Sequence, residues 1–371
     1  MWIVKLRNFK ISLIYKYLLK PIFFSQDPED VHDNMTNMGI RLGKYSITRK
    51  LSSWMFWYSN SMLEQDILGI HFKNPIGLAA GFDKDANLTQ ILPSIGFGFE
   101  EVGSITGEKC EGNPKPRLWR LKDSRSLLVY YGLKNQGCEF LAQKLSKLKF
   151  EFPIGTSVAK TNCQETVEVE AGVQDYLKAF TTLKDIGDYN TINISCPNAF
   201  GGQPFTDPVS LEKLLSLTDN VVTKKPTFIK LSPDLKNDEV DKILEVLSHH
   251  KISGIICGNL TKNRENKLLI DKDIPNVGGV GGKAVQELSD NQIKYIYSKT
   301  RGKYILVGCG GISCGADAYK KIRLGASLLQ LITGMIYEGP QVISQINLEL
   351  VEFLKRDGFK NISEAVGVDN R

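Results

Sequence analysis

A chain of 371 residues with 42% apolar and 24% charged side chains has the make-up of a globular protein, with room for one large α/β barrel plus a small extension or for two ordinary domains. The formal charge of +6 is uneven: Lys5, Arg7, Lys10, Lys16 and Lys20 bring five cations and no acid to residues 1–24, so the near-neutral remainder offers no basis for binding nucleic acid. Seven cysteines, scattered and without a CxxC pair, argue against a disulfide framework, a structural zinc site or an iron–sulfur cluster, and fit a reducing compartment.

In residues 1–24 a lysine or arginine interrupts the apolar side chains every few positions. No run approaches the ~20 apolar residues of a membrane span, and the persistent charge, with no small-residue cleavage site after it, argues against a signal peptide. Two readings stay open: a segment lying in a membrane interface with its cations toward anionic headgroups, or a helix packed on the body with its lysines outward. Basic charge combined with aromatic and aliphatic anchors favours the interface. Asp27-Pro28-Glu29-Asp30 caps and opens a second helix running toward Met38. Trp54-Met55-Phe56-Trp57-Tyr58 is an aromatic cluster that either belongs to a core or lines a path for an apolar molecule.

From residue 74 onward short apolar runs alternate with longer amphipathic stretches, the pattern of a parallel sheet with crossover helices. Strands are expected at 76–80, 98–102, 153–158, 191–195, 227–231, 254–257, 304–307 and 327–331. Eight such units make an α/β protein with a (β/α)8 TIM barrel, whose working residues lie at the C-terminal strand ends. The expected division is a small N-terminal helical extension over residues 1–60 and the barrel over 61–371.

Those ends carry Gly81 and Lys84, Ser104, Ser157, Cys196 with Asn198, Lys230, Asn259, Gly310-Gly311 and Thr333-Gly334. The run Thr191-Ile192-Asn193-Ile194 reads as a buried strand stopped by Pro197, which cannot donate to a ladder, so Cys196 is expected where a strand ends. Taken alone, Cys196 is as well explained as a small buried hydrophobe. Asn193 and Asn198 on either side shift the reading toward a site that grips an imide or lactam ring, since clustered polar groups cost stability unless something pairs with them. Glycines after strands seven and eight suit phosphate binding at a barrel mouth, although a tight turn is the default account of each. Gly278-Gly279-Val280-Gly281-Gly282 is expected as another bare turn. Together the rim suits an anionic, phosphate-bearing, redox-active guest.

Asn193-Ile194-Ser195-Cys196-Pro197-Asn198 resembles the active-site strand of the dihydroorotate dehydrogenase family, and residues 74–85, Asn-Pro-Ile-Gly-Leu-Ala-Ala-Gly-Phe-Asp-Lys-Asp, are similar to that family's first flavin loop. The resemblance covers nearly the whole chain and implies FMN, with Ala80, Gly81, Lys84, Ser104, Ser157, Asn193, Lys230, Gly258, Gly282, Gly311, Ile332 and Thr333 at the cofactor. It implies substrate contacts from Lys84, Gly132, Asn193, Asn198 and Asn259, with Cys196 as the base. The expected reaction is oxidation of (S)-dihydroorotate to orotate. Asp27-Pro28-Glu29-Asp30-Val31-His32 is similar to the signature of the quinone-using, membrane-associated members, placing His32 and Arg120 at a site for ubiquinone or menaquinone. Residues 1–24 would then hold the protein peripherally on the cytoplasmic face of the cell (inner) membrane, with no iron–sulfur partner.

The chain departs from the membrane-linked pattern at several positions. Cys196 stands where that class uses Ser and is the choice of the soluble classes. Val129 replaces a substrate-binding Asn, Leu133 a Phe, Ser157 a flavin-contacting Asn, and Ile332 a Tyr near the quinone; Gly258-Asn259-Leu260 replaces Thr-Asn-Thr. An unpartnered substrate group costs about 1–3 kcal/mol, so Val129 and Leu133 keep in play a relative acting on another dihydropyrimidine or using fumarate; a second alternative, from a different class, is a non-redox phosphate-binding barrel or a catalytically silent flavin-binding module.

Overall fold

The structure, a computed structural model, describes residues 2–370. Eight short runs, every residue buried except Ile305, form strands β1 (Ile76–Leu78), β2 (Phe99–Ile105), β3 (Ile154–Val158), β4 (Tyr189–Asn193), β5 (Thr227–Leu231), β6 (Gly254–Cys257), β7 (Ile305–Cys309) and β8 (Leu328–Leu331). Each pairs in parallel with the next and β8 returns to β1, closing the expected TIM barrel. Crossover helices cover the outside. In Val169–Leu183, for example, Val173, Tyr176, Phe180 and Leu183 recur at helical spacing and are buried on the barrel.

An antiparallel hairpin, Gln65–Ile67 with Ile70–Phe72, precedes β1 and was not anticipated. Its Ile67 and Phe72 join Phe99, Tyr189, Phe228 and Leu328 in an inner cluster. These residues sit at or near the N-terminal strand ends, so the hairpin plugs the barrel floor, with the Phe72 and Phe99 rings edge-on at 5.4 Å. Tyr189 fills the layer only because β3 offers a glycine: a Cβ on Gly155 would lie 2.1 Å from the tyrosine Cζ. Gly155→Ala is expected to cost about 1–3 kcal/mol through overpacking, measurable as a lowered urea midpoint with an unchanged denaturant slope.

The N-terminal extension consists of α1 (Trp2–Ile14), a π-helical turn, α2 (Lys20–Phe24), α3 (Pro28–Lys44) and α4 (Ser46–Phe56). Asp27 caps α3 as expected, accepting from the amides of Glu29 (2.8 Å) and Asp30 (3.2 Å), and the helix runs six residues past Met38. The first segment packs on the body and keeps Lys5, Lys10 and Lys16 exposed, while three other polar side chains turn inward. Arg7 donates to the carbonyls of Trp54 and Trp57 (both 3.0 Å) and to Ser344 (2.8 Å), Asn8 donates to Ser344, and Tyr15 donates to the Ile336 carbonyl (2.6 Å). Its apolar side faces outward, with Trp2 73% exposed and Ile3, Phe9, Tyr17 and Leu18 also exposed, alongside Ile47, Leu51 and Trp54 of α4. Among the described residues no helix is long and apolar enough to cross a membrane.

Over the barrel mouth lies a three-stranded antiparallel sheet of Leu118–Leu121, Ser126–Val129 and Gly279–Gly282. The glycine run expected as a bare turn is therefore an edge strand, with Gly279 opposite Val129 and Gly282 opposite Ser126. It is glycine-rich because it passes close to other groups: a Cβ on Gly279 would meet Leu260 at 2.7 Å, and one on Gly282 would meet Thr333 at 2.7 Å.

Candidate active site

Asn193 ends β4 in register with Lys230 of β5, placing a carboxamide and an ammonium at one height on the rim. The ladder stops there because Asn193 Oδ1 accepts from the Ser195 amide (3.1 Å) and hydroxyl (3.0 Å), turning the chain out of the sheet. Cys196 thus lies three residues beyond the strand, in the loop above the mouth, rather than at the strand end. It is partly exposed, and its thiol is free.

Short hydrogen bonds tie the rim together. The hydroxyls of Ser157 and Ser104 are 2.8 Å apart, Asn193 Nδ2 donates to Ser104 Oγ (2.8 Å), and Asn259 Nδ2 donates to Ser195 Oγ (2.8 Å) and to its carbonyl (3.1 Å). Four strands are linked, and the side chains are held before any ligand arrives. Asn198 is different: Nδ2 donates to the Val129 carbonyl (2.8 Å), but its buried Oδ1 has no partner. An unmet buried acceptor calls for an N–H donor from a guest.

Two cations serve the cleft in different ways. Lys230, 2% exposed, lies 3.9 Å from the buried Glu101 carboxylate, which also accepts from Gln330 (2.9 Å) and Thr191 (3.1 Å). The Lys84 ammonium sits 3.9 Å above the Tyr131 ring, whose neighbour at 5.1 Å is the Arg117 guanidinium. Burial, and then the nearby Lys134 cation, push Lys84 down to about 8. For Cys196, burial pushes the thiol up, against the opposing pull of the Asn198 amide and the Lys160 charge.

Of the residues expected at the site, Ala80, Gly81, Lys84, Ser104, Gly132, Asn193, Cys196, Asn198, Lys230, Asn259, Gly282, Gly311, Ile332, Thr333 and His32 line one cleft with about 1220 Å³ of open volume. Three do not. Ser157 is fully buried behind Ser104. Gly258 is a packing glycine, since a Cβ there would lie 2.1 Å from the Cys309 carbonyl. Arg120 turns away to the Gln26 carbonyl (2.8 Å) and the Phe24 ring (4.8 Å). Tyr131 and Lys134 also line the cleft and carry no expectation from the sequence; Tyr131 was the more accessible to sequence reasoning, being adjacent to Gly132.

The family profile described as Dihydroorotate dehydrogenase matches residues 62–354. The chain belongs to the dihydroorotate dehydrogenase family. The dihydroorotate dehydrogenase (quinone) of Trichodesmium erythraeum is 38% identical over 380 aligned positions, 96% of this chain and 99% of that protein. The protein of the same name from Gloeobacter violaceus is 35% identical, covering 94% and 98%. A crystal structure of DHODH from Eimeria tenella in complex with ferulenol superposes with a TM-score of 0.82 at 28% identity, covering 93% of this chain and 96% of that one.

Dihydroorotate dehydrogenases are flavin-dependent oxidoreductases, and the cleft fits a flavin. Gly81, at φ +106° with nothing within 4 Å of a notional Cβ, presents bare backbone to it. Gly310 and Gly311 offer further bare backbone after β7, and Lys230 supplies a buried cation for a ring that gains negative charge on reduction.

Proposed function

We propose that this chain oxidises (S)-dihydroorotate to orotate in pyrimidine biosynthesis, with FMN as its flavin and a membrane quinone, ubiquinone or menaquinone, as electron acceptor. The observation that carries the reading is the meeting of Cys196, Lys84, Lys230 and the unpartnered Asn198 acceptor in one cleft. Ala80, Gly81, Ser104, Lys230, Gly282, Gly311, Ile332 and Thr333 would hold FMN, which when bound supplies the acceptor for the hydride leaving C6. Lys84 faces the substrate carboxylate, Asn198 Oδ1 accepts a ring N–H, and Asn193 and Asn259, braced through Ser104 and Ser195, complete the grip beside Gly132. Cys196 takes the proton from C5. Val129 contributes no side-chain hydrogen bond, and its carbonyl is already bound by Asn198.

The outward apolar residues of α1 and α4 support peripheral attachment through residues 1–24, on the cytoplasmic face of the membrane. Residues 1–60 would act as the attachment and quinone-access unit and 61–371 as the flavin barrel. His32, on α3 with Nε2 3.0 Å from the Phe82 carbonyl, borders the same cleft and is assigned to the quinone side.

Anaerobic mixing of the purified yellow protein with dihydroorotate is expected to bleach the flavin, and a quinone is expected to restore the colour. Bleaching by dihydrouracil but not by dihydroorotate would move the substrate to another dihydropyrimidine. Reoxidation by fumarate but not by quinone would remove the membrane half of the reading.

The two titrating groups make opposite demands. The rate constant for flavin reduction is expected to climb into the alkaline range, because burial raises the Cys196 thiol and the thiolate is the base. The apparent affinity for dihydroorotate is expected to weaken above about pH 8, as Lys84 gives up the proton that makes it a carboxylate partner. A stopped-flow pH series separates them, since the first moves the limiting rate and the second the half-saturating concentration.

A further inference from the structure

Behind Cys196 lies a second, much smaller cavity, bounded by Lys160, Tyr176, Cys196 and Phe205. Cys196 borders both this cavity and the main cleft, whereas Lys160 borders only the smaller one. Lys160 is 3% exposed. Its Nζ donates to the Phe200 carbonyl (2.7 Å) and reaches Thr166 Oγ1 at 3.4 Å. Among the described residues no carboxylate forms an ion pair with it. The nearest acid named beside it, Asp175, is occupied by the Thr161 amide (2.6 Å), the Thr161 hydroxyl (2.8 Å) and the Gly107 amide (3.4 Å). A buried cation whose hydrogen bonds go only to neutral oxygens is costly; of the groups facing it that are or can become anions, Cys163, Cys196 and Asp175, only Cys196 borders the small cavity that Lys160 borders.

We propose that Lys160 is a positioning residue for Cys196: its ammonium stabilises the thiolate from the side away from the substrate, while its bond to Phe200 tethers the loop that follows. This rests on the reading of Cys196 as the base. The charged and titratable groups facing the thiol are Lys160 from the segment after β3, Lys262 from the loop after β6, and Cys110; the two lysines favour the thiolate and Cys110 opposes it. Facing Lys160 are Cys163, Cys196 and Asp175, with Tyr176 of the same helix as Asp175 donating instead to the Asn193 carbonyl (2.7 Å). Lys160 transfers no proton in this scheme and acts only through the sulfur.

The test is the pH dependence of Cys196 alkylation by iodoacetamide in the holoenzyme, read for that cysteine alone by peptide mass spectrometry. Lys160→Gln keeps an N–H donor for the Phe200 carbonyl and removes the charge; Lys160→Arg keeps the charge. The Gln variant is expected to move the alkylation midpoint up by about one pH unit, slowing the reaction about tenfold below the midpoint, and to shift the pH profile of flavin reduction in parallel. The Arg variant is expected to stay near the wild-type midpoint. An unshifted Gln midpoint, or an Arg variant shifted as far as Gln, would overturn the proposal, because a tether without electrostatic effect predicts both. Should Lys160→Gln fail to retain flavin, Lys160→Met reads the same charge loss. Failure of the base assignment is a separate outcome: Cys196→Ala would keep reducing its flavin with dihydroorotate, whatever Lys160 does to the thiol.

Discussion

Cys196→Ala holoenzyme is expected to purify yellow and to be reduced by dihydroorotate about 10²–10⁴-fold more slowly than wild type, the usual contribution of a positioned base. Flavin should stay because the bonds that organise the rim run through Ser104, Asn193, Ser195 and Asn259 and bypass the thiol. Cys196→Ser is not expected to restore the rate at neutral pH. A hydroxyl holds its proton far more tightly than a thiol, and the charged groups that face this position from behind are the cations Lys160 and Lys262, neither of which accepts a proton readily. Stopped-flow absorbance under anaerobic conditions measures the loss. Equal loss of flavin and of turnover would assign Cys196 to the architecture, and unchanged reduction would remove it from the chemistry.

Arg117→Met is expected to be the most damaging single change outside the rim. Arg117 clamps Glu29 of α3 through Nε (3.1 and 3.2 Å) and Nη2 (2.8 Å), and donates to the carbonyls of Glu111 and Asn113 (both 3.0 Å). Both side chains of the pair are buried. Removing one partner of such a pair costs about 3–5 kcal/mol, because the other charge is left without compensation. Lys115, 3.3 Å from Glu29 and exposed, holds the cost toward the lower end. Burial alone would raise the Glu29 carboxyl, but Arg117 and Lys115 outweigh it and hold it below the usual range. The contribution of this clamp is therefore present above the unfolded carboxylate pKa and is lost as pH falls through the lower folded value. In Arg117→Met, quinone reduction should fall further than flavin reduction by dihydroorotate, since α3 loses its clamp while the rim loses only the packing of Arg117 on Tyr131 and its bond to the Asn113 carbonyl. Adding Glu29→Gln should recover part of the lost thermal stability by removing the bare charge. If the single variant melts at the wild-type temperature, the clamp does not hold the extension.

The barrel was legible because its signal is local: short buried runs at regular intervals, each followed by an amphipathic stretch. The hairpin before β1 and the sheet over the mouth were not, since their strands pair antiparallel, outside the alternation of buried strand and crossover helix, and one is mostly glycine, which carries no strand signature. In the site, Cys196 and its flanking asparagines stood out by residue type, and Lys84, Lys230 and Asn259 by position at strand ends. Lys160 and Tyr131 did not, because their roles come from contacts with residues distant in sequence. Arg120, expected on the quinone side, lies against Gln26 and Phe24 of the N-terminal extension, whereas the role of Arg117, three residues earlier, in the buried clamp carries no signal in the sequence. Both arginines look alike in the sequence, and only the depth of each side chain separates them.

The N-terminal segment turns Arg7, Asn8 and Tyr15 toward the protein and, beside Lys5, Lys10 and Lys16, leaves aromatic and aliphatic groups exposed. In plain buffer those side chains have nothing to lie against, so molecules will tend to meet through them, and the apparent particle size will follow the amphiphile supplied rather than the fold. If residues 1–24 attach to a membrane as proposed, preparations differing only in detergent or lipid should differ in homogeneity before they differ in chemistry.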